Sequence, residues 1–259
     1  MNKGSYDLLI IGGGISACVF VSNLLKNKYK GNIALIEMGK RLGGRASTRI
    51  DNRFNDWELN HGSPNFNICN KVDNYLLQKF IKELLKNKFI RIDNSDVIKL
   101  TRNFISNSIE NSEFLSGDNY SSSYSMSTLS KKIVDYRNLR SQIDFYFETL
   151  IVELDFYKNE WKLTSKDGDI FKSKFLIITS NLLLHKRSFK ILNTNQIPLR
   201  KAIPKYKNKK IDELIDLLDE QKYIQRLSFL IYAARGYKYK DVYNKKNRYF
   251  YLKKDLENQ

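Results

Sequence analysis

The 259-residue chain is poor in the residues that mark several common protein classes: it has two cysteines, two histidines, two tryptophans and three prolines. Two cysteines, Cys18 and Cys69, with no secretory leader ahead of them do not make a disulfide framework, and they point to a reducing, cytoplasmic setting. Residues 8–21 are apolar and follow Lys3, as in a leader peptide. Three consecutive glycines in their centre and the lack of a small-residue cleavage site behind them argue against that reading. No run approaches the roughly eighteen apolar residues that a membrane helix needs. His61 and His185 are too few and too widely separated for a metal site, so no metal is expected. There is no internal repeat, and no proline-rich linker marks a domain border.

What is present is globular in composition, with 42% hydrophobic and 13% aromatic residues in a chain long enough for one or two domains. The net charge of +17 is uneven: residues 1–180 carry +6 and residues 181–259 carry +11. Lysines outnumber arginines 32 to 13. Lys205-Tyr206-Lys207-Asn208-Lys209-Lys210 and Tyr237-Lys238-Tyr239-Lys240 interleave bases with aromatics, the pattern of a single-strand nucleic-acid binder. Solvated lysine runs are common, and nucleic acid is the less favoured partner.

The most informative stretch begins with the apolar run Leu8-Leu9-Ile10-Ile11 and the glycine turn Gly12-Gly13-Gly14-Ile15-Ser16-Ala17. An amphipathic helix follows (Val19, Phe20, Leu24, Leu25), then the strand Ile33-Ala34-Leu35-Ile36 and the acid Glu37. Strand, glycine turn, helix, strand and terminal acid together form the fingerprint of a dinucleotide-binding βαβ unit. Gly12 permits the tight turn, Gly14 lets a pyrophosphate approach the backbone, and Ala17 keeps the helix close to the sheet. The amides at the helix start, around Ile15 and Ser16, point their positive dipole end at the phosphates. Glu37 accepts hydrogen bonds from a ribose diol, and its charge disfavours a 2′-phosphate.

A second glycine pair follows at once in Glu37-Met38-Gly39-Lys40-Arg41-Leu42-Gly43-Gly44-Arg45. Gly43 and Gly44 let main-chain amides approach an anion, Arg41 and Arg45 supply charge-assisted hydrogen bonds, and Ser47 and Thr48 add hydroxyl donors. This stretch resembles the E-x-x-x-R-x-G-G-R pattern of flavoproteins of the amine-oxidase superfamily at every fixed position. Asn60-His61-Gly62-Ser63-Pro64-Asn65-Phe66 further resembles the segment that follows this loop in renalase-like proteins, with Pro64-Asn65 where relatives often carry Gln-Tyr. Ser125-Met126-Ser127-Thr128-Leu129-Ser130 and the strand-like residues 145–154 continue the likeness, which covers roughly residues 5 to 205.

The resemblance implies FAD as cofactor, held by Gly12, Gly14, Ile15, Ser16, Ala17, Glu37, Met38, Arg41, Gly43, Gly44 and Arg45. It adds His61, Gly62 and Ser63 near the flavin, with His61 the catalytic candidate, and the backbone of Leu150, Ile151 and Val152 at the adenine. The implied fold is α/β: a Rossmann-like FAD-binding domain of the three-layer β/β/α type with an inserted α+β substrate domain. Its parts are residues 1–70 and 116–182 for FAD, and 71–115 and 183–259 for the substrate side. The implied activity is oxidation of a small amine or dihydronicotinamide-type donor, with dioxygen as acceptor. Relatives close the flavin site with a C-terminal Gly-Asp segment, whereas the only glycine after residue 205 here is Gly236, preceded by Arg235. The reading is therefore of a relative lacking that segment, with a partner chain completing the site or with FAD held in a non-catalytic remnant.

Hydrophobic spacing predicts a helix over 72–85, an extended segment over 89–98 and a serine-rich loop over 119–130. Strands are expected over 143–155, 160–164 and 171–179, with a hairpin turn at Ser165-Lys166-Asp167-Gly168. A short helix over 211–218 and a buried strand over 227–234 complete the expectations.

Overall fold

The computed structural model describes residues 1–51, 57–69, 73–93, 97–100, 105–106, 117–221 and 249–252. In chain order the elements are β1 (Asn2–Ile11), α1 (Ile15–Lys26), β2 (Ile33–Ile36), β3 (Arg49–Asp51), β4 (Trp57–Leu59), β5 (Phe66–Ile68), α2 (Tyr75–Lys86), β6 (Ile90–Ile92), β7 (Val97–Leu100), β8 (Ile105–Ser106) and β9 (Asp118–Ser122). They continue with α3 (Met126–Asp135), β10 (Ile143–Tyr146), β11 (Ile151–Tyr157), β12 (Glu160–Ser165), β13 (Ile170–Ile178), α4 (Arg187–Leu192), α5 (Pro198–Ala202), α6 (Lys209–Asp219) and β14 (Tyr249–Leu252). Two compact units emerge: Met1–Gly62 with Ser125–Ser228, and Ser63–Tyr124 with Phe229–Gln259.

The first unit is built on a six-stranded sheet of order β10-β2-β1-β13-β12-β11. β1 pairs in parallel with β2 and β13, and β2 pairs in parallel with β10. Parallel strands covered on both faces need apolar residues at successive positions, and Leu8-Leu9-Ile10-Ile11 and Ile33-Ala34-Leu35-Ile36 are buried at every one. Leu9, Ile11, Ala34 and Ile36 enter one core with Leu163 and Phe171. Alternation along the strands sends Leu8, Ile10, Ile33 and Leu35 to the opposite face, where the right-handed crossover carries α1. α1 buries Ala17, Cys18, Val21, Ser22 and Leu25 and packs beside α3, which buries Met126, Leu129, Ser130, Ile133 and Val134.

β11, β12 and β13 form an antiparallel meander. The β11–β12 hairpin turns through Lys158 and Asn159, both with positive φ (49° and 61°), as a two-residue hairpin of matching twist requires. The turn expected at 165–168 is present, with Gly168 N–H donating to Ser165 C=O at 3.0 Å. The single strand expected over 143–155 is two strands. β10 pairs with β2 at one edge of the sheet and β11 pairs with β12 at the other, and the chain breaks between them at Glu148, at φ 53°.

Residues 183–221, read from the resemblance as substrate domain, lie in the first unit. The physical reason is their apolar content: Leu183, Ile197, Leu199 and Ile215 share a core with Ile151, Leu154 and Phe171. The helix expected over 211–218 is α6, capped by Asn208. Its first turn is tied down by Asp212, which pairs with Arg200 and accepts from Tyr206 N–H at 3.0 Å. Arg200 chiefly holds the Asp212 carboxyl below the usual carboxylate range. His185 belongs to the same attachment: its Nδ1 accepts from Arg187 N–H at 3.0 Å, and its Nε2 lies 3.6 Å from the Asp219 carboxylate at the end of α6.

In the second unit β5, β9 and β6 form an antiparallel sheet, and β14, β7 and β8 form a mixed one in which β14 runs parallel to β7 and β8 antiparallel to it. The helix expected over 72–85 is α2, started by Asn74, whose side chain accepts from Leu77 N–H at 3.0 Å. The extended segment expected over 89–98 contains β6 and the start of β7. The serine-rich stretch is not wholly a loop, because Asn119 to Ser122 run in β9 between two strands, and Tyr120 stacks on Phe66 at 5.5 Å. The strand expected over 227–234, like Tyr237-Lys238-Tyr239-Lys240, lies outside the described residues. Among the described residues no helix is long and apolar enough to cross a membrane.

Candidate functional site

β1 lies between β2 and β13, so the chain leaves β1 toward one side of the sheet and later returns on the other. Such a reversal opens a crevice beyond the C-terminal ends of the strands, and the glycine turn falls there. Gly12 has φ +99°, and its N–H donates to Ile36 C=O at 2.8 Å. Thr179, just after β13, closes the turn from the other side: its hydroxyl donates to Ile11 C=O at 3.0 Å, and a Cβ on Gly12 would lie 2.7 Å from the Thr179 Oγ1. Sequence reasoning missed Thr179, whose only signal was its place at the end of an expected strand.

Gly13 and Gly14 differ in kind. A Cβ on Gly13 would press on Leu42 at 2.9 Å, so that position is filled by protein. A Cβ on Gly14 would meet nothing within 4 Å, and Gly14 has an extended backbone, φ −73° and ψ 175°. The space beside the start of α1 is open. The first helical hydrogen bond runs from Cys18 N–H to Gly14 C=O at 3.1 Å. Among the described residues the amides of Ile15, Ser16 and Ala17 have no acceptor. Ala17 is fully buried, so the helix sits close on the sheet, as its small side chain implied.

Glu37 does more than end β2. Its Oε2 accepts from Gly13 N–H at 2.5 Å and its Oε1 accepts from Gly39 N–H at 2.7 Å. The carboxylate thus ties the glycine turn to the start of the second loop, while each oxygen keeps a further lone pair for a hydroxyl donor. Its charge is one reason, after burial, that the Cys18 thiol beneath the turn is pushed up to about 12. Met38 beside it is exposed.

The main chain of Glu37 is paired to the end of β10 and the segment after it: Glu37 N–H donates to Tyr146 C=O at 2.8 Å and Thr149 N–H to Glu37 C=O at 3.0 Å. This brings Leu150, Ile151 and Val152 next to the site. Leu150 C=O is occupied by Lys166 N–H at 2.7 Å, and Ile151 is buried and pairs with Ser165. The pairing slips between Ile151 and Glu153, so Val152 stands at the irregularity.

The second glycine loop folds onto the first. Gly43 N–H donates to Gly13 C=O at 2.9 Å, and Gly44, at φ +55°, approaches so closely that a Cβ would lie 3.0 Å from Gly14 Cα. Arg41 and Arg45 are exposed and have no partner among the described residues. Ser47 Oγ lies 3.1 Å from His61 Nε2, with His61 exposed, and Gly62 N–H donates to Ser47 C=O at 3.2 Å. The expectation that Thr48 is a ligand donor is corrected, because its hydroxyl donates to Asn60 Oδ1 at 2.7 Å inside the protein. Ser63 falls in the second unit. Among the described residues no metal-ligand cluster exists.

An open sheet with a glycine turn at its switch point, a free helix start and an acid after β2 defines a Rossmann-like dinucleotide-binding fold. A family described as NAD(P)-binding Rossmann-like domain matches residues 10–84. No curated protein matches the chain. Solved structures that resemble it include a cyclohexanone monooxygenase mutant from Rhodococcus sp. Phi1 bound to NADP+, at 14% identity over 68% of this chain and 26% of that one, TM-score 0.41. A flavoprotein/dehydrogenase from Cytophaga hutchinsonii is similar at 15% identity over 72% and 42%, TM-score 0.41. An oxidised steroid monooxygenase bound to NADP is similar at 13% identity over 68% and 26%, TM-score 0.39. The chain thus matches less than half the length of each of these proteins.

Proposed function

We propose that the chain binds FAD and serves as an FAD-dependent oxidoreductase of renalase-like, amine-oxidase type. The observation that carries this reading is the second glycine loop: Gly43-Gly44 packs on the Gly13-Gly14 turn and leaves Arg41 and Arg45 exposed and, among the described residues, unpaired, near the open space at Gly14. A nicotinamide dinucleotide needs only the first turn and the acid. A second amide-rich loop with two guanidinium groups fits the diphosphate of a flavin dinucleotide.

In this reading the amides of Ile15, Ser16 and Ala17 and the Arg41 and Arg45 side chains hold the diphosphate, with Gly14 leaving room for it. Glu37 takes the ribose hydroxyls on its remaining lone pairs, and Met38 with the backbone near Val152 lies by the adenine. His61 and Gly62 stand on the flavin side, and Ser63 joins them. Bound flavin would supply hydride acceptance from a small amine or dihydronicotinamide-type donor and pass the electrons to dioxygen. The chain's own work is to bind, orient and shield. A partner chain would complete the flavin wall, and the basic bias of residues 181–259 favours an acidic one. The setting proposed is the cytoplasm.

The test is the absorbance spectrum of the purified chain after incubation with FAD and gel filtration. Retained flavin bands support the reading, and an unliganded spectrum removes it. Reduction of the retained flavin by candidate donors then separates an oxidoreductase from a form that only binds.

A further inference from the structure

Asn60 stands outside every assigned role, yet it collects an unusual set of contacts. Its Oδ1 accepts two hydrogen bonds, from the Thr48 hydroxyl at 2.7 Å and from Met126 N–H at 3.1 Å. The same Thr48 oxygen accepts from Ser127 N–H at 3.1 Å. Two first-turn amides of α3 are therefore satisfied not by a local cap but by residues 66 and 79 positions away in the chain. Ser125, the residue before the helix, makes no side-chain cap; its hydroxyl pairs with Thr128 at 2.8 Å. Amides at a helix start need acceptors, and α3 draws them from Thr48, just after the loop that carries Arg45, and from Asn60, just after β4.

The junction is tight on each side. A Cβ on Gly43 would lie 3.2 Å from the Ser127 Cβ, so the second glycine loop rests directly on the start of α3. A Cβ on Gly62 would overlap the carbonyl oxygen of Arg45, so residues 60–62 press on the back of the same loop. α3 itself is anchored by Met126, Leu129, Ile133 and Val134, each 3% exposed or less. The loop bearing Arg41 and Arg45 thus hangs between the Gly13-Gly14 turn and a buried helix, and Asn60 with Thr48 is the polar joint to that helix.

We infer that Asn60 is a positioning residue: acting through Thr48 and the N-terminus of α3, it fixes the Gly43–Arg45 loop in the geometry that binds an anionic dinucleotide. The inference rests on the FAD reading for the ligand but not for the joint itself. It also specifies the chemistry position 60 requires, an oxygen that accepts from both a hydroxyl and an amide. Aspartate meets that requirement and adds a favourable charge at a helix start, whereas leucine of similar size does not.

The experiment compares the full-length chain with Asn60→Asp, Asn60→Leu and Thr48→Val by amide hydrogen exchange without ligand and by FAD titration. Asn60→Leu and Thr48→Val should lose protection at Met126 and Ser127 and loosen Gly43 and Ala46, whose amides bond to Gly13 and Gly43 carbonyls. The lower half of α3 should stay protected. FAD affinity should fall on the order of tenfold in both, the loss expected when a charge-assisted contact is misplaced. Asn60→Asp should keep the protection pattern and bind within about threefold of wild type. If Asn60→Leu leaves loop protection and affinity unchanged, or if Asn60→Asp fails as badly as Asn60→Leu, the positioning role is overturned. Should the unaltered chain not bind FAD at all, the FAD reading falls, while the exchange data still decide whether Asn60 holds the loop.

Discussion

The two halves of the six-stranded sheet solve different problems. In the half formed by β10, β2, β1 and β13 the strands run parallel, β1 and β2 are buried on both faces, and their C-terminal ends converge on the glycine turn, Glu37 and the second loop. In the meander of β11, β12 and β13 burial alternates, with Leu154, Leu163 and Phe171 pointing inward and Glu153, Asp155 and Lys162 outward. α5 and α6 cover only the inner face. The parallel half has little freedom in its core and its loops carry the chemistry; the meander supplies a wall. A site that demands two loops at one sheet edge is available only where strands share a direction.

Breaking the comparison starts in the wall. Leu163 is fully buried in the meander core, so Leu163→Ala should cost ~2–5 kcal/mol of stability in denaturant unfolding. Flavin affinity measured under folding conditions should not change. A parallel drop in affinity would mean that the two halves are not separable.

The opposite pattern is expected at Gly14. Because a side chain there meets only open space, Gly14→Val should alter stability by less than about 1 kcal/mol. Filling the cradle should nevertheless weaken FAD binding on the order of a hundredfold, about 2.7 kcal/mol. A variant retaining as much flavin as wild type would place the ligand elsewhere.

Arg45 sharpens the point further. Arg45→Ala should reduce affinity roughly tenfold to a hundredfold, the range for a hydrogen bond to a charged group, without a stability cost. Arg45→Lys should fall between, since an ammonium lacks the planar fork. Equal retention by all three proteins in a titration would reduce Arg45 to a surface residue.

Glu37 joins the two roles. Glu37→Ala removes acceptors from Gly13 and Gly39 as well as from a ribose, so it should lower both FAD affinity, by about tenfold to a hundredfold, and stability, by ~1–3 kcal/mol. Loss of affinity alone would show that the two amides find other acceptors.

The smallest effect concerns thiol chemistry. Burial, with the Glu37 charge, pushes the Cys18 thiol up to about 12, so at pH 8 it stays protonated and inert. A thiol reagent should label Cys69 alone in the native chain and both cysteines after unfolding, as read by mass spectrometry. Native labelling of Cys18 would mean that the floor beneath the turn opens.

Local pattern determined much of this protein. Apolar runs at 8–11 and 33–36, a glycine turn between them and an acid 23 residues beyond Gly14 are enough for a βαβ unit, because backbone sterics and burial act within that span. The α2 and α6 helices were legible for the same reason, each having an asparagine cap and an apolar stripe. Contacts between residues distant in sequence were not legible. The break at Glu148 follows from β10 pairing with β2 at one edge of the sheet and β11 with β12 at the other, and the place of residues 183–221 follows from a core shared with β11 and β13. Thr179 closing the Gly12 turn, and Thr48 and Asn60 turned inward to the start of α3, were likewise decided in tertiary structure. Sequence alone lists donors and acceptors along the chain; which of them meet each other and which stay free for a ligand depends on the packing that brings distant segments within about 3 Å.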